Sequence, residues 1–120
     1  MDINFQNPGN LKHRSDTVIY NGVAYVSGAV PSDVSVDIAG QTDQVLAELD
    51  ARLARAGTDK SNILSATIWL EDVNGDAAAF NQVWNAWVAP GRLPARACVQ
   101  AALQVGARVE VAIIAAVPNT

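Results

Sequence analysis

The fold of this chain is constrained most by the spacing of its apolar residues, which changes several times along the sequence. Short apolar runs predict strands over residues 17–20, 23–28, 63–70, 95–101 and 108–117. Apolar residues three and four apart predict helices over about 37–56 and 76–88. The predicted order is therefore β-β-α-β-α-β-β. Strand pairs at both ends with helices between them favour an α+β protein, a mixed sheet with both helices on one face.

Turn-forming residues separate these segments. Asn21-Gly22 predicts a tight hairpin, because both residues tolerate a positive φ. Gly57 and Pro90-Gly91 are expected to end the two helices, and Gly106 is expected to turn the chain between the last two strands. Residues 1–16 are polar and are predicted to be irregular, and residues 71–76 are predicted to be a solvated connection.

Length and composition predict one domain, residues 1–120, that is part of an oligomer. Half of the residues are hydrophobic and only 17% are charged, which leaves little polar surface for a small monomer. With both helices on one face of the sheet, the other face stays open although its strands are apolar. We expect a closed oligomer to cover that face.

The charge and the rare residue types exclude several classes of function. A net charge of −4, with eight scattered basic residues, argues against a nucleic-acid partner and against a polybasic membrane patch. No apolar run approaches the roughly 20 residues that span a bilayer, and the first residues do not look like a signal peptide, so a cytoplasmic location is expected. One cysteine, Cys98, and one histidine, His13, predict neither a disulfide nor a metal site.

The strand near residue 96 carries the strongest candidates for chemistry. Side chains alternate along a strand, so Arg96 and Cys98 are expected to share one face. A hairpin to the last strand could bring Glu110 near them, so that a guanidinium, a thiol and a carboxylate meet in one cleft. Arg96 is suited to bind a small carboxylate through two parallel hydrogen bonds.

Each candidate also has a structural interpretation. Arg96 could be a surface residue in a salt bridge, and Glu110 could be the structural partner of Arg96 or Arg108. Cys98 could be a small buried hydrophobic residue. Trp84 lies three residues before another tryptophan on the second predicted helix, a spacing typical of core packing.

The chain resembles the reactive-intermediate deaminase family (Rid or YjgF-like, enamine/imine deaminases), from about residue 14 to residue 116. The most specific motifs are Pro-Ala-Arg-Ala-Cys-Val at 94–99 and Val-Glu-Val at 109–111. The supporting motifs are Tyr-Val-Ser-Gly-Ala-Val-Pro at 25–31, Gly-Gln-Thr at 40–42 and Phe-Asn-Gln-Val-Trp at 80–84. The resemblance implies a chorismate-mutase-like fold. It also implies a homotrimer whose sheets surround a central barrel, with three clefts between neighbouring subunits.

The resemblance also implies an activity that needs no cofactor and no metal. Members of the family hydrolyse enamines and imines of the 2-aminoacrylate type to 2-keto acids and ammonia, as 2-iminobutanoate/2-iminopropanoate deaminases do. By this resemblance Arg96 holds the substrate carboxylate and Glu110 orients or activates the water. Cys98 lines the pocket, and Asn81, Ser27 and Gly28 match positions at the rim of the cleft.

The chain departs from the best-known deaminases in ways that suggest a divergent branch. Arg14 stands where many members carry a tyrosine that reaches the site. It could add a second positive group and favour a dicarboxylate or a differently shaped acid. A second function is also open, a trimer that binds small keto acids as a sensor or regulator without turnover. Sequence does not separate the two functions, because both use Arg96.

Overall fold

The structure is a computed structural model that describes residues 2–118, in which two helices pack on a mixed six-stranded sheet. The element order confirms the predicted α+β arrangement and adds one strand at the start. The elements are β1 (Asn4–Gln6), β2 (Thr17–Tyr20), β3 (Val23–Ala29), α1 (Ile38–Arg55), β4 (Ile63–Leu70), α2 (Val73–Trp87), β5 (Ala95–Gln100) and β6 (Val109–Ala116), with a short 3-10 turn at Lys60–Asn62 before β4. The strands lie in the order β1-β2-β3-β6-β4-β5.

Helix α1 forms within one residue of the predicted bounds. The Asp37 carboxylate accepts a hydrogen bond from the Gly40 N–H at 2.9 Å and so caps the first turn. Gly57, with φ +82°, ends the helix, and the following N–H, of Thr58, bonds back to the Leu53 carbonyl. The apolar stripe of α1 packs on the sheet through Ile38, Val45, Leu46, Leu49 and Leu53.

Helix α2 begins three residues earlier than predicted, so the interpretation of residues 71–76 as a connection is wrong from residue 73 onward. The Asp72 carboxylate accepts a hydrogen bond from the Gly75 N–H at 3.1 Å and caps the helix. The apolar periodicity starts only one turn later, which hid this first turn. Asp76, in that turn, is buried and forms two hydrogen bonds with Arg108 at the start of β6.

The N-terminal region contains a strand that the sequence did not indicate. Residues 4–6 form β1, which pairs antiparallel with β2 at the edge of the sheet. Its sequence, Asn-Phe-Gln, lacks an alternating apolar pattern, and backbone hydrogen bonding alone assigns it to the sheet. The predicted hairpin between β2 and β3 is confirmed, with Asn21 and Gly22 at φ +53° and +76°.

The predicted hairpin between the last two strands is wrong. Among the strands of residues 2–118, β5 pairs only with β4, and the two strands are parallel because α2 forms the crossover between them. β6 instead inserts between β3 and β4 and runs antiparallel to both. β5 is therefore an edge strand, and one strand separates it from β6.

The two faces of the sheet differ sharply in exposure. The helix-covered face holds most of the apolar core. On the open face, apolar side chains remain exposed, among them Phe5, Tyr25, Val99 and Ile114. The molecule measures only 19 Å along its shortest axis, as a sheet with one helix layer should. Within residues 2–118, neither helix is long and apolar enough to cross a membrane.

Candidate active site

Arg96 lies on the edge strand β5 and extends over helix α2. Its Nη2 donates a 2.7 Å hydrogen bond to the Oδ1 of Asn81. The guanidinium carbon lies 5.5 Å from the ring centre of Trp84 and 5.8 Å from that of Phe80, within the range of cation–π attraction. Both rings are almost fully buried, so they form a rigid support for an exposed side chain. A cleft of about 370 Å³ opens beside it, lined by Asn81, Trp84, Asn85, Leu93, Pro94 and Arg96.

The charge of Arg96 is not neutralised by a carboxylate of the described residues. Four other arginines of residues 2–118, namely Arg14, Arg52, Arg55 and Arg108, lie within 4.0 Å of an aspartate or a glutamate. Arg96 instead bonds to a neutral amide oxygen. A neutral acceptor orients a guanidinium without cancelling its charge, so this guanidinium can still attract an anion.

Cys98 lies on the same face of β5 as Arg96, as predicted, and is partly buried against the core. Burial raises the pKa of its thiol, and the positive charge of Arg96 opposes that rise. The thiol therefore stays protonated at neutral pH, which suits a residue that lines a pocket better than a nucleophile.

Glu110 lies on the open face of the sheet, with its carboxylate resting on Gly28 of β3. A Cβ placed on Gly28 would lie 2.1 Å from Oε2 of Glu110, so only glycine leaves room for the carboxylate. Among residues 2–118 the structure gives Glu110 no cation within 4.0 Å, since Arg108 pairs with Asp76 and Arg96 with Asn81. Glu110 is therefore not the structural partner of either arginine, and its carboxylate can meet a ligand or a water.

Ser27 and Arg14 lie toward the opposite edge of the sheet from Arg96. The Ser27 hydroxyl donates to the Ser15 carbonyl at 2.7 Å. The Arg14 guanidinium contacts the Asp16 carboxylate, which offsets part of its charge. Arg14 precedes β2, and four strand spacings of about 4.8 Å separate β2 from β5, roughly 19 Å in all.

One copy of the chain thus holds the predicted site residues as two separate groups. The first, which we call the arginine group, contains Arg96, Asn81 and Cys98, on β5 and α2. The second, the glutamate group, contains Glu110, Ser27, Gly28 and Arg14, on the side of β2, β3 and β6. Trp69 of β4 pairs with Glu110 on one side and with Val99 on the other, so Glu110 and Arg96 lie on opposite faces of the sheet. The expectation that guanidinium, thiol and carboxylate meet in one cleft of a single chain is therefore wrong.

Two contributors to these groups were missed at the level of sequence. Trp84 was interpreted as a core residue, and it is one, with 4% of its surface exposed, but its ring also supports Arg96. Arg52 did not stand out in the sequence as a candidate, yet its side chain is only 5% exposed. The signal for Arg52 was its position three residues after Leu49 and one before Leu53, on the buried side of the helix.

The other depressions of the described surface do not combine the predicted residues. A groove of about 530 Å³ between α1 and α2 has an apolar floor and contains none of them. A depression of about 570 Å³ beside α1 is lined by Arg14, but by no other predicted residue. Volume alone therefore does not point to the site. The guanidinium of Arg96 does, because it has no carboxylate partner among the described residues and is supported on the rings of Phe80 and Trp84.

Fold and site together define the chain as an α+β protein of the YjgF type. A solved YjgF-family protein of Neisseria meningitidis matches it with a TM-score of 0.93 and 45% sequence identity, over 100% of this chain and 98% of that one.

The chain belongs to the Endoribonuclease L-PSP family, whose sequence model matches residues 6–117, and which is the YjgF/Rid family that its motifs resemble. A RutC family protein of Haemophilus ducreyi is 46% identical over 104 residues, covering 86% of this chain and 88% of that protein. A protein of Rattus norvegicus named 2-iminobutanoate/2-iminopropanoate deaminase is 34% identical over 115 residues, covering 90% and 82%.

Proposed function

We propose that the chain hydrolyses reactive imines and enamines of small 2-keto acids to the keto acid and ammonia. The observation that carries the proposal is Arg96, a guanidinium supported on Trp84, held by a neutral amide and open to a cleft. The deaminase named among the relatives supports the reaction class at 34% identity. The 46% identical relative bears a family name only, so the activity of this chain has to be measured.

The carboxylate of the substrate is the group that Arg96 would bind. Each 2-imino acid carries a carboxylate next to the reacting carbon, so holding it fixes that carbon in place. The cleft beside Arg96 is small, about 370 Å³, which suits a substrate of a few carbon atoms. Because Asp16 offsets the charge of Arg14, the proposed substrate is a monocarboxylate rather than a dicarboxylate.

Glu110 would act on the water. Water adds to the imine carbon as its proton passes to the Glu110 carboxylate, and the electron pair of the C=N bond moves to nitrogen. Glu110 gives that proton to the nitrogen, and it then takes the hydroxyl proton of the tetrahedral carbinolamine and passes it to the nitrogen as well. Neutral ammonia leaves as the C–N bond breaks and the C=O bond forms. One carboxylate thus serves first as base and then as acid.

Two copies of the chain are needed to complete this site. Arg96 and Glu110 lie on opposite faces of one sheet, so the arginine group and the glutamate group can face the same substrate only across an interface. The apolar open face supplies a surface for that contact. We propose a homotrimer in which each cleft combines the arginine group of one copy with the glutamate group of its neighbour.

The alternative is a trimer that binds keto acids at Arg96 without turnover. Glu110 favours catalysis, because an acidic residue beside a carboxylate-binding site opposes binding unless it has another role. Cleavage of RNA, which the family name suggests, is disfavoured by the net charge of −4 and by the carboxylates that pair with Arg14, Arg52, Arg55 and Arg108.

The test follows 2-aminoacrylate generated in the cuvette by a pyridoxal-phosphate enzyme, with and without the purified chain. We expect faster formation of the keto acid, and we expect Arg96→Ala to lose at least about 100-fold in kcat/KM. Arg92→Ala is the matched control, since Arg92 is also exposed but its side chain bonds to Ser61 and Asn62, away from the cleft of Arg96. Binding of pyruvate without any acceleration by the unaltered chain would support the sensor and refute the enzyme.

A second variant tests why the partner of Arg96 is an amide. Asn81→Asp keeps the shape of the side chain but places a negative charge 2.7 Å from the guanidinium. We expect KM to rise at least about ten-fold, because the new carboxylate competes with that of the substrate. An unchanged KM would show that the substrate does not rely on the free charge of Arg96.

A further inference from the structure

Arg52 is a charged residue on the face of α1 that packs against the protein interior. Its side chain is 5% exposed, and Leu49 and Leu53 beside it belong to the core. Replacing a buried ion pair by an apolar residue of similar size is often neutral or stabilising, so burial of this charge is not explained by stability alone. Its hydrogen-bond partners give the explanation.

Arg52 bridges a helix to the backbone of the sheet. Its Nε donates to Oε2 of Glu48 at 2.8 Å, one turn earlier on α1. Its Nη1 donates to the carbonyl oxygen of Ser27 at 2.9 Å, and its Nη2 lies 3.7 Å from Oδ1 of Asp16. The two carboxylates offset its charge, while the bond to Ser27 reaches into β3.

Ser27 and Gly28 form a bulge in β3. Val26 pairs with Ile113 and Ala29 with Val111, so two residues of β3 stand opposite the single residue between those partners on β6. A bulge leaves part of the backbone without its ladder bond, and here Arg52 takes the Ser27 carbonyl. The Ser27 N–H bonds to the Asp16 carbonyl at 2.9 Å, and its hydroxyl bonds to Ser15. The bonds to Asp16 and Ser15 therefore hold Ser27 itself, and the bond from Arg52 holds the Ser27–Gly28 peptide through its carbonyl.

The same peptide carries the surface on which Glu110 rests. The carboxylate of Glu110 occupies the space where a Cβ of Gly28 would stand, with Oε2 only 2.1 Å from that position. A rotation of the Ser27–Gly28 peptide would move Gly28 and change the place of the carboxylate. The contacts therefore run without a gap from Arg52 through the Ser27 carbonyl and Gly28 to Glu110.

We infer that Arg52 is a positioning residue for Glu110: its bond to the Ser27 carbonyl holds the bulge that seats the carboxylate. The inference rests on the proposed function, since it concerns the residue that would handle the water. Arg52 itself does not face the cleft of Arg96, so it should influence the chemical step and leave the binding of the substrate carboxylate unchanged.

The test separates kcat from carboxylate binding in the Arg52→Met variant. Methionine fills the buried space without the hydrogen bond to Ser27. We expect kcat to fall by about ten-fold to 100-fold, because a shift of about 1 Å in a reacting group costs up to that factor. We expect Kd for pyruvate to change by less than about two-fold, so that the loss appears in kcat and not in carboxylate binding.

Arg55→Met is the matched control. Arg55 lies about one turn further along the same helix and contacts the same Asp16 and Glu48, but it is 40% exposed and does not reach Ser27. It should keep both kcat and Kd. Arg52→Lys restores the charge with a single nitrogen and should recover part of the lost kcat. Unfolding curves of all variants show whether the fold is intact. If Arg52→Met does not fold, Arg52→Lys takes its place in the test, with a smaller expected loss of kcat of about three-fold or more.

The possible failures differ from one another. If the unaltered chain does not accelerate the hydrolysis, the proposed function fails, and this role of Arg52 fails with it. If the unaltered chain is active and a folded Arg52→Met retains its kcat, only the role of Arg52 is refuted. An equal loss of kcat in Arg52→Met and Arg55→Met would also refute it, since that loss would come from the charge cluster and not from the bond to Ser27.

Discussion

Gly28→Ala is the substitution that should most cleanly separate activity from stability. An alanine Cβ at this position would lie 2.1 Å from Oε2 of Glu110, 3.0 Å from its Cδ and 3.2 Å from its Cγ. Non-bonded heavy atoms settle at about 3.5 Å, so the carboxylate has to retreat by roughly 1 Å or more. The clash involves the free end of a flexible side chain, so the backbone can remain where it is.

The expected result is a large loss of rate with a small change in stability. A displacement of about 1 Å of a reacting group can cost about 100-fold in kcat. Gly28 is not among the glycines with positive φ, so alanine is tolerated by the backbone. Alanine also restricts the unfolded chain, which offsets the cost of moving Glu110 and keeps the change in unfolding free energy within about 1 kcal/mol.

The assay combines imine hydrolysis with thermal unfolding, and Gly9→Ala serves as control. An alanine Cβ at Gly9 would meet only Leu11, at an ordinary 3.7 Å, so this variant should keep both rate and stability. If Gly28→Ala retained full kcat while Glu110→Gln lost it, the position of the Glu110 carboxylate on Gly28 would not matter, and the reasoning would be refuted. A melting temperature of Gly28→Ala more than about 10 °C below that of the unaltered chain would refute the claim that only a side chain moves.

Two further predictions concern contacts outside the reacting groups. Asp76→Asn should lower the unfolding free energy by about 1–2 kcal/mol and the melting temperature by roughly 5 °C. The substitution weakens two charge-assisted bonds to Arg108, while water still solvates that partly exposed arginine. A shift below about 1 °C in a thermal melt would contradict this. Alkylation of Cys98 by iodoacetamide should show a pH midpoint above that of a free thiol, because burial raises the pKa of Cys98, and this midpoint should rise further in Arg96→Ala, since the charge of Arg96 lowers that pKa. Mass spectrometry across pH 7–10 measures both midpoints. A midpoint that falls in Arg96→Ala would contradict the expected effect of Arg96.

Local pattern was sufficient to predict the helices and the central strands. The cap at Asp37, the apolar stripe of α1 and the glycine after its last turn all lie within one short stretch, so the sequence contains the whole signal. The start of α2 was missed because its first turn is polar, and β1 was missed because backbone pairing needs no particular side chains.

The pairing of the last strands could not be predicted in the same way. Proximity along the chain favours a hairpin between β5 and β6, yet the crossover through α2 places β5 beside β4 and leaves β6 to fill the gap next to β3. Strand partners are chosen by burial over the whole sheet, which no single segment specifies. This error is the reason why Arg96 and Glu110 were expected to meet within one chain.

The residue types of the candidate site were predictable, whereas their surroundings were not. Arg96 and Glu110 stand out because charged side chains interrupt apolar strands. Asn81, the amide partner of Arg96, lies on α2, 15 residues away in sequence. Arg52, which bonds to the Ser27 carbonyl, lies on α1, 25 residues from Ser27. Such contacts depend on how the helices cross the sheet and leave no periodic trace in the sequence.

The central place of β6 has a consequence for how the protein is made. The last strand along the chain joins β3 to β4, so until it emerges from the ribosome the sheet consists of two unconnected pieces. A nascent chain must therefore keep much of this core open to water until β6 has been synthesised, a period in which exposed strands can aggregate. We expect folding to wait for β6, because the contacts that join the sheet link distant parts of the sequence. Premature termination a few codons before β6 should therefore yield no stable fragment.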